Sequence, residues 1–153
     1  MSYYGQNVDA KLYMGASTAD PLPSHASDTF TEVPLVQIVT PAVREKSVAS
    51  FNVLNDSNTR SLGGKQAART ITGTIVLDHD EATHVQWIED TNATGQVNRN
   101  WRLVYPNGWT RESSGFLSRL ADAAFDATGD AAEHTSEFTI SVNGEETEAM
   151  VTP

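Results

Sequence analysis

The chain contains no cysteine, so it can form neither a disulfide nor a thiolate site, and folding in a reducing cytosol is expected. It is poor in cations: Lys and Arg total 10 against 20 Asp and Glu, for a net charge of -10. A chain with that balance repels a phosphate backbone instead of gripping it. No apolar run approaches the ~20 residues that a spanning helix needs, so no membrane partner is expected. Met1-Ser2-Tyr3-Tyr4-Gly5 has neither a basic leader nor an apolar core, and no secretion signal is expected there. With 153 residues, 39% of them hydrophobic, there is enough for one domain and a modest two-layer core.

A recognisable reaction centre is also missing. Asp78, His79, Asp80, Glu81 and His84 are the one group of metal-ligand types. Glu81 and His84 have the Glu-x-x-His spacing of carboxylate-bridged metal sites, but those need a second copy and two further carboxylates from other helices. A capping box of Asp78 and Glu81 accounts for the acids without a metal. Gly63-Gly64-Lys65 lacks the first Gly of a phosphate loop, has Gln66 where Ser or Thr belongs, and precedes a strand. Ser113-Ser114-Gly115 is no nucleophile elbow. His25 and His134 stand in polar surroundings and read as solvated. Asn92-Ala93-Thr94 fits a glycosylation acceptor but has no meaning without secretion. No catalytic, cofactor or metal residue is therefore assigned; the chain reads as a non-enzyme without a cofactor.

What is present is a succession of strand patterns. Gln6–Met14 is a candidate short strand, and Gly15–Thr29 reads as an arm or loop rich in Ser, Thr and Asp. Val33–Val39 is a strand in which Pro34 removes a ladder donor and suggests an edge. In Val48–Leu54, Ala49, Phe51 and Val53 alternate with Ser50 and Asn52. Asn55–Gln66 reads as a polar loop. The clearest strand is Arg69–Leu77, with Ile71, Gly73, Ile75 and Leu77 on one face and Thr70, Thr72 and Thr74 on the other. A helix is expected over residues 80–93, with Ala82, Val85 and Ile88 as its buried stripe, Gly95 as its stop and Trp87 off the stripe. Trp101, Leu103 and Tyr105 share a strand face, and Asn107-Gly108 turns the chain back antiparallel. Phe138, Ile140 and Val142 mark a last strand, with Glu137, Thr139 and Ser141 opposite. Glu145–Pro153 reads as a loose tail. Several strands are expected at open edges, which an oligomer can close.

The charge is uneven along the chain. Arg44, Lys46, Arg60, Lys65 and Arg69 cluster in the middle, whereas beyond Arg119 there are only acids: Asp122, Asp126, Asp130, Glu133, Glu137, Glu145, Glu146 and Glu148. A solvated acidic tail is the ordinary reading. The alternative is one basic and one acidic surface, allowing copies to attach head to tail.

This order of features resembles the major tail tube proteins of long-tailed, siphovirus-type bacteriophages and related tail-like particles. The resemblance rests on Phe51-Asn52-Val53-Leu54-Asn55-Asp56, on the strand Thr70–Asp78 and on Trp101-Arg102-Leu103-Val104-Tyr105-Pro106-Asn107-Gly108. It continues through Gly115-Phe116-Leu117-Ser118-Arg119-Leu120 and Glu137-Phe138-Thr139-Ile140-Ser141-Val142-Asn143-Gly144. It implies a mainly β fold of two packed antiparallel sheets with one flanking helix, spanning residues 31–145. Residues 1–30 would form a strand and arm, residues 55–66 an inter-ring loop, and 146–153 a loose tail. It also implies a hexameric ring whose inner sheets join into a β-barrel, and rings stacked into the tube through which DNA leaves the virion without specific binding. The partners implied are further copies of the chain, a tape-measure protein, a tail terminator and distal tail proteins, with assembly in the host cytoplasm. Arg44, Lys46, Arg60 and Lys65 are expected to meet acids of an adjacent ring. Thr70, Thr72, Thr74, Glu137, Thr139 and Ser141 are expected to face the lumen, with the outer wall of the tube as the alternative. Two other functions are carried: a tail terminator, and a β-sandwich carbohydrate-binding or adhesin module using Trp87, Trp109 and Tyr13.

Overall fold

A computed structural model describes residues 10–54, 57–122 and 135–150 of the chain. Among them are nine strands and one helix. They are β1 (Lys11–Gly15), β2 (Phe30–Glu32), β3 (Val36–Thr40), β4 (Lys46–Phe51), β5 (Arg60–Gln66), β6 (Arg69–Val76), α1 (Ala82–Asn92), β7 (Asn98–Val104), β8 (Trp109–Ala121) and β9 (Thr135–Met150). Seven strands form one antiparallel sheet in the order β2-β1-β7-β8-β9-β6-β3, and β4 pairs with β5 in a separate two-stranded sheet. The mainly β class with one helix and two antiparallel sheets agrees with the sequence, but the expected packing of one sheet on the other does not, because β4 is exposed along its whole length. The large sheet is open, with β2 and β3 as its edges, and the chain by itself makes no closed barrel.

Period-two alternation builds the centre of the sheet. Ile71 pairs with Ile140, Gly73 with Phe138, and Ile75 with Ser136, all on the covered face. Gly73 is required there, because a Cβ would run into the Phe138 ring and the Ile38 carbonyl. Trp101, Leu103, Leu12 and Met14 extend the same face through β7 and β1. Trp87 of α1 closes it. Its ring meets Trp101 edge-on at 5.9 Å and Phe138 at 5.1 Å, the offset geometry that aromatic quadrupoles favour. At Asn107-Gly108 the expected turn forms, with Gly108 at φ 85° and its amide donating to Tyr105 O at 3.0 Å.

Other expectations need correction. Asn55–Gln66 is not a loop throughout: residues 60–66 form β5, which pairs with β4. Val33–Val39 is not one strand; Pro34 and Leu35, the latter at φ 63°, separate β2 from β3. The buried residues of α1 are Thr83, His84 and Trp87, whereas Val85 is exposed. The helix turns Trp87 inward because that ring fills the space between Trp101 and Phe138. The capping box does not form either. Glu81 is the N-cap and makes no side-chain cap bond, while Asp78 Oδ1 accepts from Asp80 N at 2.9 Å. Finally, residues 145–150 are no loose tail but the end of β9, paired with β8 from Trp109↔Met150 to Glu112↔Thr147. The first residues of the Gln6–Met14 strand, Asn55 and Asp56, His134 and the acids Asp126, Asp130 and Glu133 lie outside the described residues.

The helix correction is directly testable. Trp87→Ala should cost about 3–5 kcal/mol, the range for truncating a buried aromatic. Val85→Ala should stay within about 0.5 kcal/mol, as expected at an exposed site. Denaturant midpoints of the two variants check this; equal effects would put the helix on the sheet by the other face.

Candidate functional site

The six residues expected to line a lumen come together. β6 and β9 pair Thr70 with Ser141, Thr72 with Thr139 and Thr74 with Glu137, so all six lie on the face opposite the core. They form a hydroxyl-rich band, half-buried to exposed. β8 adds Ser118, whose Oγ donates to Thr139 O at 3.2 Å and lies 3.1 Å from Ser141 Oγ. The charges at its end offset each other: Arg119 Nη1 lies 3.3 Å from Glu137 Oε2, both largely exposed. Pairs of that kind stabilise little but leave no net local field.

The second surface is the β4–β5 hairpin. Every residue of β4 is exposed, so the hairpin does not lie on the body of the chain. It nevertheless carries apolar side chains: Val48 is 67% exposed, Phe51 47% and Leu62 63%. Ala49 pairs with Leu62 and Phe51 with Arg60, which places Ala49, Phe51 and Leu62 on one side. Lys46, Arg60 and Lys65 lie on the same two strands. Arg44 precedes them and pairs within the chain, its Nε donating to Glu148 Oε1 at 2.7 Å and its Nη2 reaching the same oxygen.

Arg44 belongs to a larger ion cluster that the sequence did not reveal. Arg111 Nη2 donates to Glu146 Oε2 and, at 3.0 Å, to Ala42 O. Arg69 Nη1 reaches the same Glu146 oxygen at 3.4 Å, and Arg111 Nε lies 3.3 Å from Glu148 Oε1. Side-chain exposure is 2% for Glu146, 5% for Arg111 and 10% for Arg69, so most of this charge is removed from water. Burial alone would lower the Arg111 pKa. Hydrogen bonds to Tyr105 and Glu146, with the Glu146 charge, outweigh it and hold the guanidinium above its ordinary value. A second buried pair, Arg99 with Asp90 at 2.6 Å, ties α1 to β7, and Arg99 also donates to Gly15 O and Ala16 O.

The residues considered for chemistry have structural duties. His84 is fully buried. Its Nδ1 accepts from Asp78 N at 2.9 Å, so Nε2 carries the proton and donates to Pro34 O at 2.8 Å. Nε2 latches α1 to the segment between β2 and β3, and Nδ1 holds the link between β6 and α1. His25 is not simply solvated: it stacks on Phe30 with ring centroids 6.0 Å apart and donates to Ser113 O at 2.9 Å. Ser114 Oγ donates to Asn100 Oδ1 at 2.8 Å. Trp87 is in the core and unavailable as a sugar platform with Trp109 and Tyr13.

The open antiparallel sheet with one covered face, one hydroxyl face and an unpacked hairpin defines a subunit built to present surfaces. A family model described as "Phage tail tube protein, TTP" matches residues 24–151. The chain belongs to the phage tail tube protein family, and its role is that of a structural component of a phage-like particle's tail tube. No curated protein matches its sequence. Among solved structures, the fold is similar to a chain of an extracellular contractile injection system's sheath–tube complex in the extended state. That likeness has a TM-score of 0.63 and 15% identity, over 93% of this chain and 88% of the other. A chain of the anti-feeding prophage baseplate, 6-fold symmetrised, gives 0.69 at 11% identity, over 97% of each chain. A chain from the tail of an empty GTA particle, with C6 symmetry, gives 0.67 at 14% identity, over 94% and 98%.

Removing one member of the ion cluster should be costly. Glu146→Gln leaves Arg69 and Arg111 without their buried counter-charge, and a loss of about 3–5 kcal/mol is expected. Chemical denaturation measures it; a loss near that of an exposed pair would show that the cluster is solvated.

Proposed function

We propose that copies of this chain form hexameric rings, that the rings stack into a hollow tail tube, and that DNA passes through it during ejection. The observation that carries this reading is the β4–β5 hairpin. It exposes Phe51 and Leu62 on one face, with Arg60 paired to Phe51, and Val48 on the other face, while β4 is exposed along its whole length. Apolar burial stabilises by roughly 25 cal/mol per Å², so a projecting apolar arm is favourable when it meets a second protein surface. The arm is the inter-ring element, with Lys46, Arg60 and Lys65 meeting acids of the next ring and Arg44 acting from its base. The open edges β2 and β3 pair between neighbours in a ring, joining the sheets into a barrel. Six-fold symmetry in the similar baseplate and tail structures supports the ring size.

The hydroxyl band of β6 and β9 is the lumen wall. Its side chains offer a polyanion no lysine or arginine with which to exchange counterions, apart from the Arg119 already set against Glu137. Six copies carry six times the -10 of one chain, which adds a general repulsion. A tape-measure protein fills the tube before DNA, a terminator and distal tail proteins close its ends, and assembly takes place in the host cytoplasm.

Two experiments test this. Arg60→Glu with Lys65→Glu should abolish long tubes and leave rings in negatively stained images; tubes of unchanged length would refute the role of the hairpin, and rings that never elongate in the unsubstituted protein would point to a terminator. Thr72→Cys, in a chain with no other thiol, should react in assembled tubes with a small maleimide but not with one carried on a large polymer. Equal reaction with both reagents would place the hydroxyl band on the outside.

A further inference from the structure

The hairpin's direction cannot come from packing, because β4 is exposed along its whole length. It must be set at the base, where the chain enters at residues 41–46 and leaves at 66–69. Backbone pairing joins the two legs to each other: Lys46 pairs with Gln66, and Ala67 N donates to Glu45 O at 2.8 Å. Pairing the legs with each other does not by itself set their direction relative to the large sheet. Ala42 anchors the start of the entering leg in the core, and ionic contacts from the end of β9 reach both legs. Glu148 holds Arg44 on the entering leg, and Glu146 holds the side chain of Arg69 where the leaving leg joins β6. Arg111 of β8 touches both acids and also donates to Ala42 O at 3.0 Å, just before the entering leg.

We propose that Glu146 and Glu148, with Arg111 between them, form a clamp that fixes the direction of the β4–β5 hairpin in the unassembled subunit. The two acids are positioning residues, acting on the hairpin through Arg44 and Arg69. Both legs are gripped from the same two-stranded segment of β8 and β9, whose backbone pairing is continuous from Trp109↔Met150 to Glu112↔Thr147. Two anchor points on one rigid element define an axis, and the Arg111 bond to Ala42 O removes rotation about it. Pre-orienting an arm lowers the entropy lost when it docks, so the clamp favours stacking without itself touching the next ring. This last step rests on the inter-ring reading of the hairpin; the clamp does not.

The absence of cysteine permits a direct test. Nitroxide labels at Leu62→Cys on the hairpin and Ala82→Cys on α1 report the angle in unassembled protein by pulsed electron spin resonance. The starting protein should give one narrow distance. Arg44→Gln and Glu148→Gln should each lose it in favour of a broad distribution, while Arg44→Lys, which keeps the charge, should retain most of it. Thermal unfolding of the body should change little for Arg44→Gln, because Arg44 is half exposed. A narrow distance preserved in both Gln variants would overturn the clamp. Deletion of residues 47–65 separates the two readings: if tubes still form without the hairpin, its stacking role falls, while the distances continue to decide the clamp.

Discussion

The structure depends on how charge is held beneath the end of the sheet. Glu146 lies almost wholly out of water between Arg69 and Arg111, and Glu148 bridges Arg111 to Arg44. Removing carboxylates and guanidinium groups from water is costly, and their mutual attraction offsets the cost only with good geometry and extra hydrogen bonds. Here the extra bonds come from Tyr105 and the Ala42 carbonyl. The cluster therefore demands one arrangement of the last strand, of the hairpin base and of the β7–β8 turn at once. A core of aliphatic and aromatic side chains alone would tolerate more than one such arrangement.

Above the cluster the fold is conventional. Trp87 bridges Trp101 and Phe138, the alternating residues of β6 and β9 bury one face, and the other face carries hydroxyls. A tail tube subunit has to combine a firm wall with sites that stay unsatisfied until neighbours arrive. The covered face supplies the wall. In the proposed assembly the edges β2 and β3 and the exposed hairpin supply the sites.

What could be read from the sequence follows from which faces the chain buries by itself. Ile71, Gly73 and Ile75 alternate with threonines because one side of β6 meets the core and the other does not; Trp101 and Leu103 of β7 also face the core, although Asn100 between Trp101 and Arg99 is buried too, bonded to Pro23 O and Asp28. The polar band was legible for that reason, and the register confirmed that its two halves face the same way. β5 was not legible. Arg60-Ser61-Leu62-Gly63-Gly64 has no apolar period because neither of its faces is covered within the chain. The helix misled through composition: Ala82, Val85 and Ile88 are the apolar choice, yet Thr83 and His84 face inward, with His84 satisfied by hydrogen bonds to Asp78 and Pro34. Glu146 and Glu148 looked like a solvated tail because their partners are remote. Arg69 lies 77 residues from Glu146, Arg111 lies 35 from it, and Arg44 lies 104 from Glu148. No local pattern reports a pairing over such separations.

The central claim is that the hairpin and the sheet edges find their partners only in other copies of the chain. Amide hydrogen exchange, compared between dilute unassembled protein and assembled tubes, measures this most directly. Strong protection should appear on assembly in β3, β4 and β5, with little change in the already paired β6, β7 and β9. Exchange in β3, β4 and β5 that is equally slow before assembly would contradict the account, since those strands would then be satisfied within a single copy.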